Sequence, residues 1–240
     1  MFPPFRTTKI APCAAILSAI FLMTASADPS SNGNIMQGIT YKSCKVEGKY
    51  IALTFDDGPH PENSVKLLET LKQHHAKATF FVIGGNAAKY PELLQRMKAE
   101  GHEIGNHTWS HPHLQSKDFP EIRSELDRTS QAIFDATGEK PTLFRPPFID
   151  TSPTLETWIY KQTGMKTITL SVDSLDWRDN DASLARQHIL EGAAPGAIVL
   201  AHERTCTAEA LPGILNELEA QGYKFVTVSE LIAMDHSGKK

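Results

Sequence analysis

Residues able to do acid–base and metal chemistry occur in short clusters along this chain of 240 residues. The first cluster is Asp56-Asp57, followed at once by Gly58-Pro59, a pair that favours a turn. Successive residues leaving a strand point in different directions, so one carboxylate can bind a metal while the other stays free as a base. Taken alone, however, Asp-Asp-Gly-Pro is more often a solvated acidic turn.

His107 and His111 form a second cluster with the spacing H-x-x-x-H. This spacing predicts that both imidazoles lie on one side of a helical turn, as in known zinc motifs. Together with one aspartate they would make a site of three ligands with positions open for water. Zinc is the first choice for such a site, and cobalt or nickel would also fit. The alternative is a chance pair among ten histidines.

Two further groups have the chemistry to support catalysis. Arg145 precedes two prolines after an apolar run, where a guanidinium needs a carboxylate partner; Asp56 is the natural candidate, although another acid would serve equally. His202 follows a second apolar run, and Asp176 could hold its second ring nitrogen as in acid–base catalysis. Trp177 could line a sugar pocket. The alternatives are a core histidine and a core tryptophan.

The elements that must position these groups alternate regularly from Lys49 onward. The predicted strands are Tyr50–Phe55, Ala78–Ile83, Glu103–Asn106, Thr142–Arg145, Thr167–Val172, Ala197–Ala201 and Lys224–Val228. The predicted helices are Ser64–His75, Pro91–Glu100, Glu121–Ala136, Thr154–Thr163, Ser183–Glu191, Ala208–Ala220 and Ser229–Met234. Repeated βα units predict a parallel sheet, either closed as a shortened barrel or open and doubly wound. The clusters all follow strand ends at one face, where such folds carry active sites, so we expect an enzyme.

The N-terminal segment and the composition indicate an exported protein. Residues 1–27 have two cations, an apolar run and a final Ala-Ser-Ala, which predicts a cleaved secretory signal; an uncleaved anchor is the alternative. Residues 28–48 are expected to be a flexible leader, and residues 49–235 the single folded domain. No later segment is apolar enough to stay in a membrane, and the net charge of −4 argues against nucleic-acid binding. Cys44 and Cys206 permit a disulfide or two free thiols.

Five ordered segments resemble the motifs of the polysaccharide deacetylases, also called the NodB-homology family or carbohydrate esterase family four. They are TFDDGP (54–59), HTWSHP (107–112), RPPF (145–148), DSLDW (173–177) and LAH (200–202). The resemblance covers about Lys49 to Leu231. It implies an α/β fold, a distorted (β/α)7 barrel in one domain, and a metal-dependent deacetylase.

The resemblance also implies roles for residues, position by position. The implied metal ligands are Asp57, His107 and His111. The implied catalytic residues are the base Asp56 with its partner Arg145, and the acid His202 oriented by Asp176. The implied substrate contacts are the backbone N–H of Phe148 at the oxyanion, and Trp177 and Leu200 around the acetyl methyl group.

Two departures from the family pattern concern substrate contacts. Phe148 stands where tyrosine is common and is followed by Ile149-Asp150, and Glu203 stands where aspartate is common. No expected ligand, base or acid is missing. We therefore expect removal of N-acetyl groups from N-acetylglucosamine polymers such as chitin, chitooligosaccharides or peptidoglycan. The alternatives are an O-acetyl esterase on xylan or a related glycan, a non-catalytic glycan-binding protein, and a metal-dependent phosphoesterase or peptidase.

Overall fold

The computed structural model describes residues 39–237 together with Met1 and Pro4. The predicted signal sequence, residues 1–27, and residues 28–38 of the predicted leader lie outside this range, apart from those two positions. Within the range, none of the helices combines the length and apolar character needed to cross a membrane.

A single curled sheet forms the centre of the molecule. Its strands are β1 (Thr40–Tyr41), β2 (Tyr50–Asp56), β3 (Thr79–Val82), β4 (Glu103–Asn106), β5 (Leu143–Phe144), β6 (Lys166–Ile168), β7 (Val172–Asp173), β8 (Ile198–His202) and β9 (Lys224–Phe225). The strand order is β1-β6-β5-β4-β3-β2-β8-β7, and β9 pairs with the start of β2. The pairs between these strands are parallel.

Helices carry the chain back between the strands. They are α1 (Asn63–Gln73), α2 (Gly84–Lys89), α3 (Pro91–Ala99), α4 (Phe119–Thr137), α5 (Pro153–Thr163), α6 (Asp176–Asp179), α7 (Ala182–Gly192), α8 (Thr205–Ala220) and α9 (Val228–Ala233). Short 3-10 turns occur at Leu114–Ser116 and Pro147–Ile149. The long helix α4 begins with a capping box between Asp118 and Glu121 and ends at Gly138, whose φ of 75° is left-handed.

The predicted distorted (β/α)7 barrel in one domain is confirmed. From β2 to β6 each strand lies next to the one before it, as in a barrel, whereas a doubly wound sheet reverses its order. One predicted element is wrong: the run 167–172 is divided into β6 and β7. β7 pairs with β8 instead of continuing β6, so the described sheet is open at this point.

Strand β2 lies at the centre of the core. Every residue of β2 after Tyr50 is buried, because β3 and β8 flank it and helices cover it. One face of the sheet packs under α1 and α8, and the shared cluster contains fully buried leucines of both helices. Burying a leucine contributes roughly 1.5–3 kcal/mol, so this layer fixes the strand ends that carry the candidate site.

The part of the predicted leader that the structure describes pairs with the sheet. Thr40–Tyr41 forms β1 and pairs with β6, and Cys44 is buried with its N–H donating to the Gly196 carbonyl. These backbone groups complete the edge of the sheet. Cys44 and Cys206 are both free and buried. Cys44 lies by the start of β8 and Cys206 just beyond its end, so they are not a disulfide pair.

Candidate active site

The strand register brings the chemical clusters to one edge of the sheet. Asp56, the last residue of β2, lies directly opposite His202, the last residue of β8. On the other side of β2, β3 pairs with β4, so that Asn106 is aligned with Val82 and His107 follows. Asn106 also pairs with Phe144, which places Arg145 next in line. Adjacent strand ends therefore supply the acids, imidazoles and guanidinium.

Asp57, His107 and His111 offer three ligand atoms that lie within 4.8 Å of one another. The Asp57 Oδ1 is 3.5 Å from His107 Nε2 and 3.3 Å from His111 Nε2. The Nδ1–H of His107 donates to the Arg145 carbonyl at 2.8 Å, which leaves Nε2 as the ring nitrogen with a free lone pair. The arrangement is that of a possible three-ligand metal site.

The chemistry of these donors fits a divalent cation. Asp57 Oδ1 is buried and has no hydrogen-bond partner among the described residues. Burial alone would raise the pKa of the Asp57 carboxyl, but the surrounding imidazoles, His107 foremost, lower it to about 2. Burial and the neighbouring His107 lower the pKa of His111. One carboxylate and two imidazoles are a ligand set that zinc accepts.

The backbone around the ligands is unusual. Asp57, Thr108 and His111 have φ values of 73°, 66° and 58°, a region that residues other than glycine seldom occupy and that often marks functional sites. The Asn86 side chain donates from Nδ2 to the Asp57 carbonyl at 2.9 Å and holds that conformation. The helical turn predicted for the H-x-x-x-H segment is wrong. Irregular backbone brings the two rings together, with their centroids 4.9 Å apart.

Asp56 and Arg145 form a buried ion pair beside this triad. The Arg145 guanidinium is fully buried, and its Nη1 donates to Asp56 Oδ1 at 2.8 Å and to Thr54 Oγ1 at 2.6 Å. Backbone carbonyls of Ile168 and Thr169 accept its other hydrogen bonds. The second oxygen of Asp56 lies 3.7 Å from His107 Nε2. One carboxylate oxygen is thus anchored and the other faces the candidate metal site.

His202 is held from behind by Asp176. Its Nδ1–H donates to Asp176 Oδ1 at 2.6 Å, and its backbone N–H donates to Asp176 Oδ2 at 2.8 Å. The Thr207 hydroxyl also donates to this fully buried carboxylate. Burial opposes a charge on His202, but the hydrogen bond to Asp176 and the nearby carboxylate of Asp56 raise its pKa above the usual value. The ring is therefore held in one orientation with a proton to give.

A cleft of about 380 Å³ opens over these groups. Of the sequence-predicted site residues, those that line the cleft are Asp56, Asp57, His107, His111, Phe148, Trp177, Leu200 and His202. Arg145 and Asp176 lie behind it, buried against the residues that they hold. Two exposed aromatic side chains form the rim: Phe148 is 58% exposed and Trp177 50% exposed.

Some residues of the site were not predicted from the sequence. Leu170 and Arg204 line the cleft, and Asn86 supports Asp57. His113 stacks on Phe148 with ring centroids 4.0 Å apart. An isolated apolar, amide or cationic residue gives no signal of its own in a sequence. Only the fold shows that these residues face the cluster.

Comparison with known proteins places the chain in a family. Residues 44–168 match the sequence model described as polysaccharide deacetylase. A peptidoglycan-N-acetylglucosamine deacetylase, PgdA from Listeria monocytogenes, is 41% identical over 184 residues, which are 76% of this chain and 39% of that protein. The chain belongs to the polysaccharide deacetylase family, and it spans about two fifths of the length of this relative.

Solved structures agree with this assignment. The peptidoglycan deacetylase PdaC from Bacillus subtilis superimposes with a TM-score of 0.74 at 38% identity, covering 78% of this chain and 92% of that one. BA3943 from Bacillus anthracis, described as a pseudoenzyme of carbohydrate esterase family four, gives a TM-score of 0.75 at 31% identity over 80% and 68% of the two chains. The fold is thus shared by active and inactive relatives, and the side chains of the site must decide between them.

Proposed function

We propose that this protein is an exported, metal-dependent deacetylase that removes N-acetyl groups from N-acetylglucosamine units of a polysaccharide such as peptidoglycan or chitin, giving acetate and glucosamine units. One observation carries the proposal. A carboxylate and an imidazole, each held from behind by a buried charged partner, face the same cleft as a triad of possible metal ligands. The names of PgdA and PdaC support peptidoglycan as the polymer.

Asp57, His107 and His111 would hold the metal, with zinc the first choice and cobalt or nickel as alternatives. When bound, such a cation polarises the acetyl carbonyl and lowers the pKa of a water molecule towards neutrality. The protein's part is to keep the three ligand atoms unprotonated and close together. The hydrogen bond from His107 to the Arg145 carbonyl and the low pKa of Asp57 serve that purpose.

Asp56 would act as the general base. Its oxygen bound to Arg145 is fixed, and its other oxygen faces the cleft, where it can accept a proton from the attacking water. The backbone N–H of Phe148 would donate to the oxygen that gains negative charge. Phe148 has a left-handed φ of 57°, so its peptide group takes a direction that a regular turn would not give it.

His202 would act as the general acid. The amine of an amide is a poor leaving group and needs a proton as the carbon–nitrogen bond breaks. The interaction with Asp176 keeps that proton on the imidazole, since it raises the pKa of His202. Trp177 and Leu200 would enclose the acetyl methyl group in the apolar part of the cleft. An O-acetyl esterase would place a weaker demand on the acid, and this difference favours N-deacetylation.

Mass spectrometry of products from chitooligosaccharide, peptidoglycan and acetylated xylan, with and without a chelator, tests the proposal. We expect acetate release from the N-acetylated substrates, its loss with the chelator and its return with added zinc. Asp56→Asn and His202→Ala should each lower turnover roughly 10²- to 10⁴-fold with normal metal content. Release from xylan alone would favour the esterase. Background rates on every substrate, as in a pseudoenzyme, would contradict deacetylation.

The export and domain limits are part of the same proposal. Cleavage after Ala27 would give a mature chain whose catalytic domain is residues 49–235, preceded by the strand β1. N-terminal sequencing of the protein recovered from the cell envelope or the medium tests the cleavage site. A chain that still begins at Met1 would support the uncleaved anchor instead.

A further inference from the structure

A second groove of about 440 Å³ continues from the candidate active site. The two share Asp57, His202 and Arg204, so a polymer lying in the first can extend into the second. The second groove is lined on its other sides by residues 59–61 and by Asn86, Lys89, Tyr90 and Glu203. It has no exposed tryptophan or phenylalanine, whereas the cleft has Trp177 and Phe148 at its rim.

Arg204 is unusual among the arginines of residues 39–237. Each of the others contacts a carboxylate or an aromatic ring within this range; these are Arg96, Arg123, Arg128, Arg145, Arg178 and Arg186. Arg204 has neither kind of partner in the described structure, although it is half-buried between the two grooves. A planar guanidinium in such a place is suited to a carboxylate from outside the chain.

The surroundings add to the positive potential of the second groove. Lys89 contacts only the Tyr90 ring, with Nζ 4.9 Å from its centroid, and has no carboxylate partner in the described range. Arg204 precedes helix α8, whose first turn has no capping side chain, so the helix dipole favours an anion at this end. Two carboxyl groups line the second groove, and neither forms an ion pair with Arg204 or Lys89: Asp57 Oδ1 lies beside His107 and His111, and Glu203 is buried against Ser64 and His60.

We propose that Arg204 and Lys89 form a carboxylate subsite, which binds an acidic group carried by the sugar next to the one that loses its acetyl group. The inference rests on the proposed function and narrows its substrate class to glycans with carboxylates on their sugars. A neutral polymer of N-acetylglucosamine would gain nothing from the two cations. Charge-assisted hydrogen bonds are stronger than neutral ones, so the subsite would select between polymers that share the acetamido group.

The test compares two oligosaccharides of equal length. One is a neutral oligomer of N-acetylglucosamine; the other carries a lactyl carboxylate on alternate sugars and no peptide. Arg204→Gln should lower the ratio of the kcat/KM values for the acidic and the neutral oligomer about tenfold. Lys89→Gln should have a smaller effect in the same direction, and Arg204→Lys should restore part of the loss. Added salt should weaken the preference of the wild type.

Arg123→Gln is the matched control, since Arg123 is a half-buried arginine that lines neither groove and pairs with Asp127 on α4. Equal losses on both oligomers, or no loss on either, would overturn the subsite. Calorimetric binding of both oligomers to Asp56→Asn, with and without Arg204→Gln, separates this inference from the proposed function. If binding prefers the acidic oligomer through Arg204 but no acetate is released by the wild type, only the deacetylase proposal fails. If binding shows no such preference, the subsite fails.

Discussion

Two neighbouring strands end in adjacent polar residues, Asp56-Asp57 at the end of β2 and His202-Glu203 at the end of β8, and the two pairs have different roles. In both pairs the first residue faces the cleft and is held by a buried partner from another strand end. The second residues differ. Asp57 faces the candidate metal ligands, whereas Glu203 is fully buried against the start of α1.

Surroundings rather than residue type explain the difference. The left-handed backbone at Asp57 directs its carboxylate among imidazoles, and its pKa falls to about 2. Glu203 contacts the Ser64 hydroxyl and the His60 N–H, and no described cation forms an ion pair with it. Burial raises its pKa to about 8. Gly58 completes this packing, since a Cβ there would lie 1.7 Å from Glu203 Oε1. One carboxyl is prepared for a cation, and the other is a neutral part of the core.

The largest predicted effect is that of replacing the Asp57 carboxylate. Asp57→Asn removes the only carboxylate of the triad, and we expect loss of bound metal and a fall in acetate release of roughly 10³-fold, because a metal contributes several kcal/mol to such reactions. Metal analysis and acetate assays measure both. Glu203→Gln is the control and should keep its metal. Equal metal content in the two variants would contradict the different roles given to Asp57 and Glu203.

The next effect concerns the buried partner of Asp56. Arg145→Met leaves a buried carboxylate without its ion pair, so we expect the free energy of unfolding to fall by about 3–5 kcal/mol. Urea denaturation at pH 7 measures this loss. A variant as stable as the wild type at pH 7 would show that the pair is not needed for folding.

Glu203 gives an effect on stability that depends on pH. An unfolded glutamate releases its proton near pH 4.5, but folded Glu203 keeps it up to about pH 8. The folded state therefore binds more protons across this interval, and the wild type loses stability as the pH rises, by up to about 1.4 kcal/mol per unit. Glutamine does not titrate, so the Glu203→Gln variant does not lose stability in this way. Its free energy of unfolding, compared with that of the wild type, should therefore increase from pH 5 to pH 8. If the free energies of unfolding of the variant and the wild type, measured by urea denaturation, change equally with pH, Glu203 is not neutral in the folded protein.

The smallest predicted effect tests the partner of His202. Asp176→Asn removes the charge and the hydrogen-bonded carboxylate that raise the pKa of His202, so this pKa should fall. A general acid is active while protonated, and the alkaline limb of the kcat profile should move to lower pH. Metal content should be unchanged. An alkaline limb at the wild-type position would mean that His202 does not supply the proton.

The sequence was sufficient for the regular part of the site and insufficient for the irregular part. Apolar runs predicted the strands that end at Asp56 and His202, and the parallel sheet then placed the clusters together. The short helix Gly84–Lys89 was missed because its two glycines and two alanines give no amphipathic pattern, and Asn86 was missed with it. The turn at His111 depends on left-handed residues stabilised by contacts such as Glu125 with the Trp109 N–H, 16 positions apart.

The central claim is that one cation binds between Asp57, His107 and His111, with Asp56 and His202 on either side of the reacting group. Anomalous diffraction at the zinc edge, from crystals grown with zinc, tests this most directly. We expect one strong peak about 2.0–2.2 Å from Asp57 Oδ1 and from the Nε2 atoms of both histidines. A zinc-loaded crystal with no peak at that position, or with its peak bound elsewhere, would contradict it.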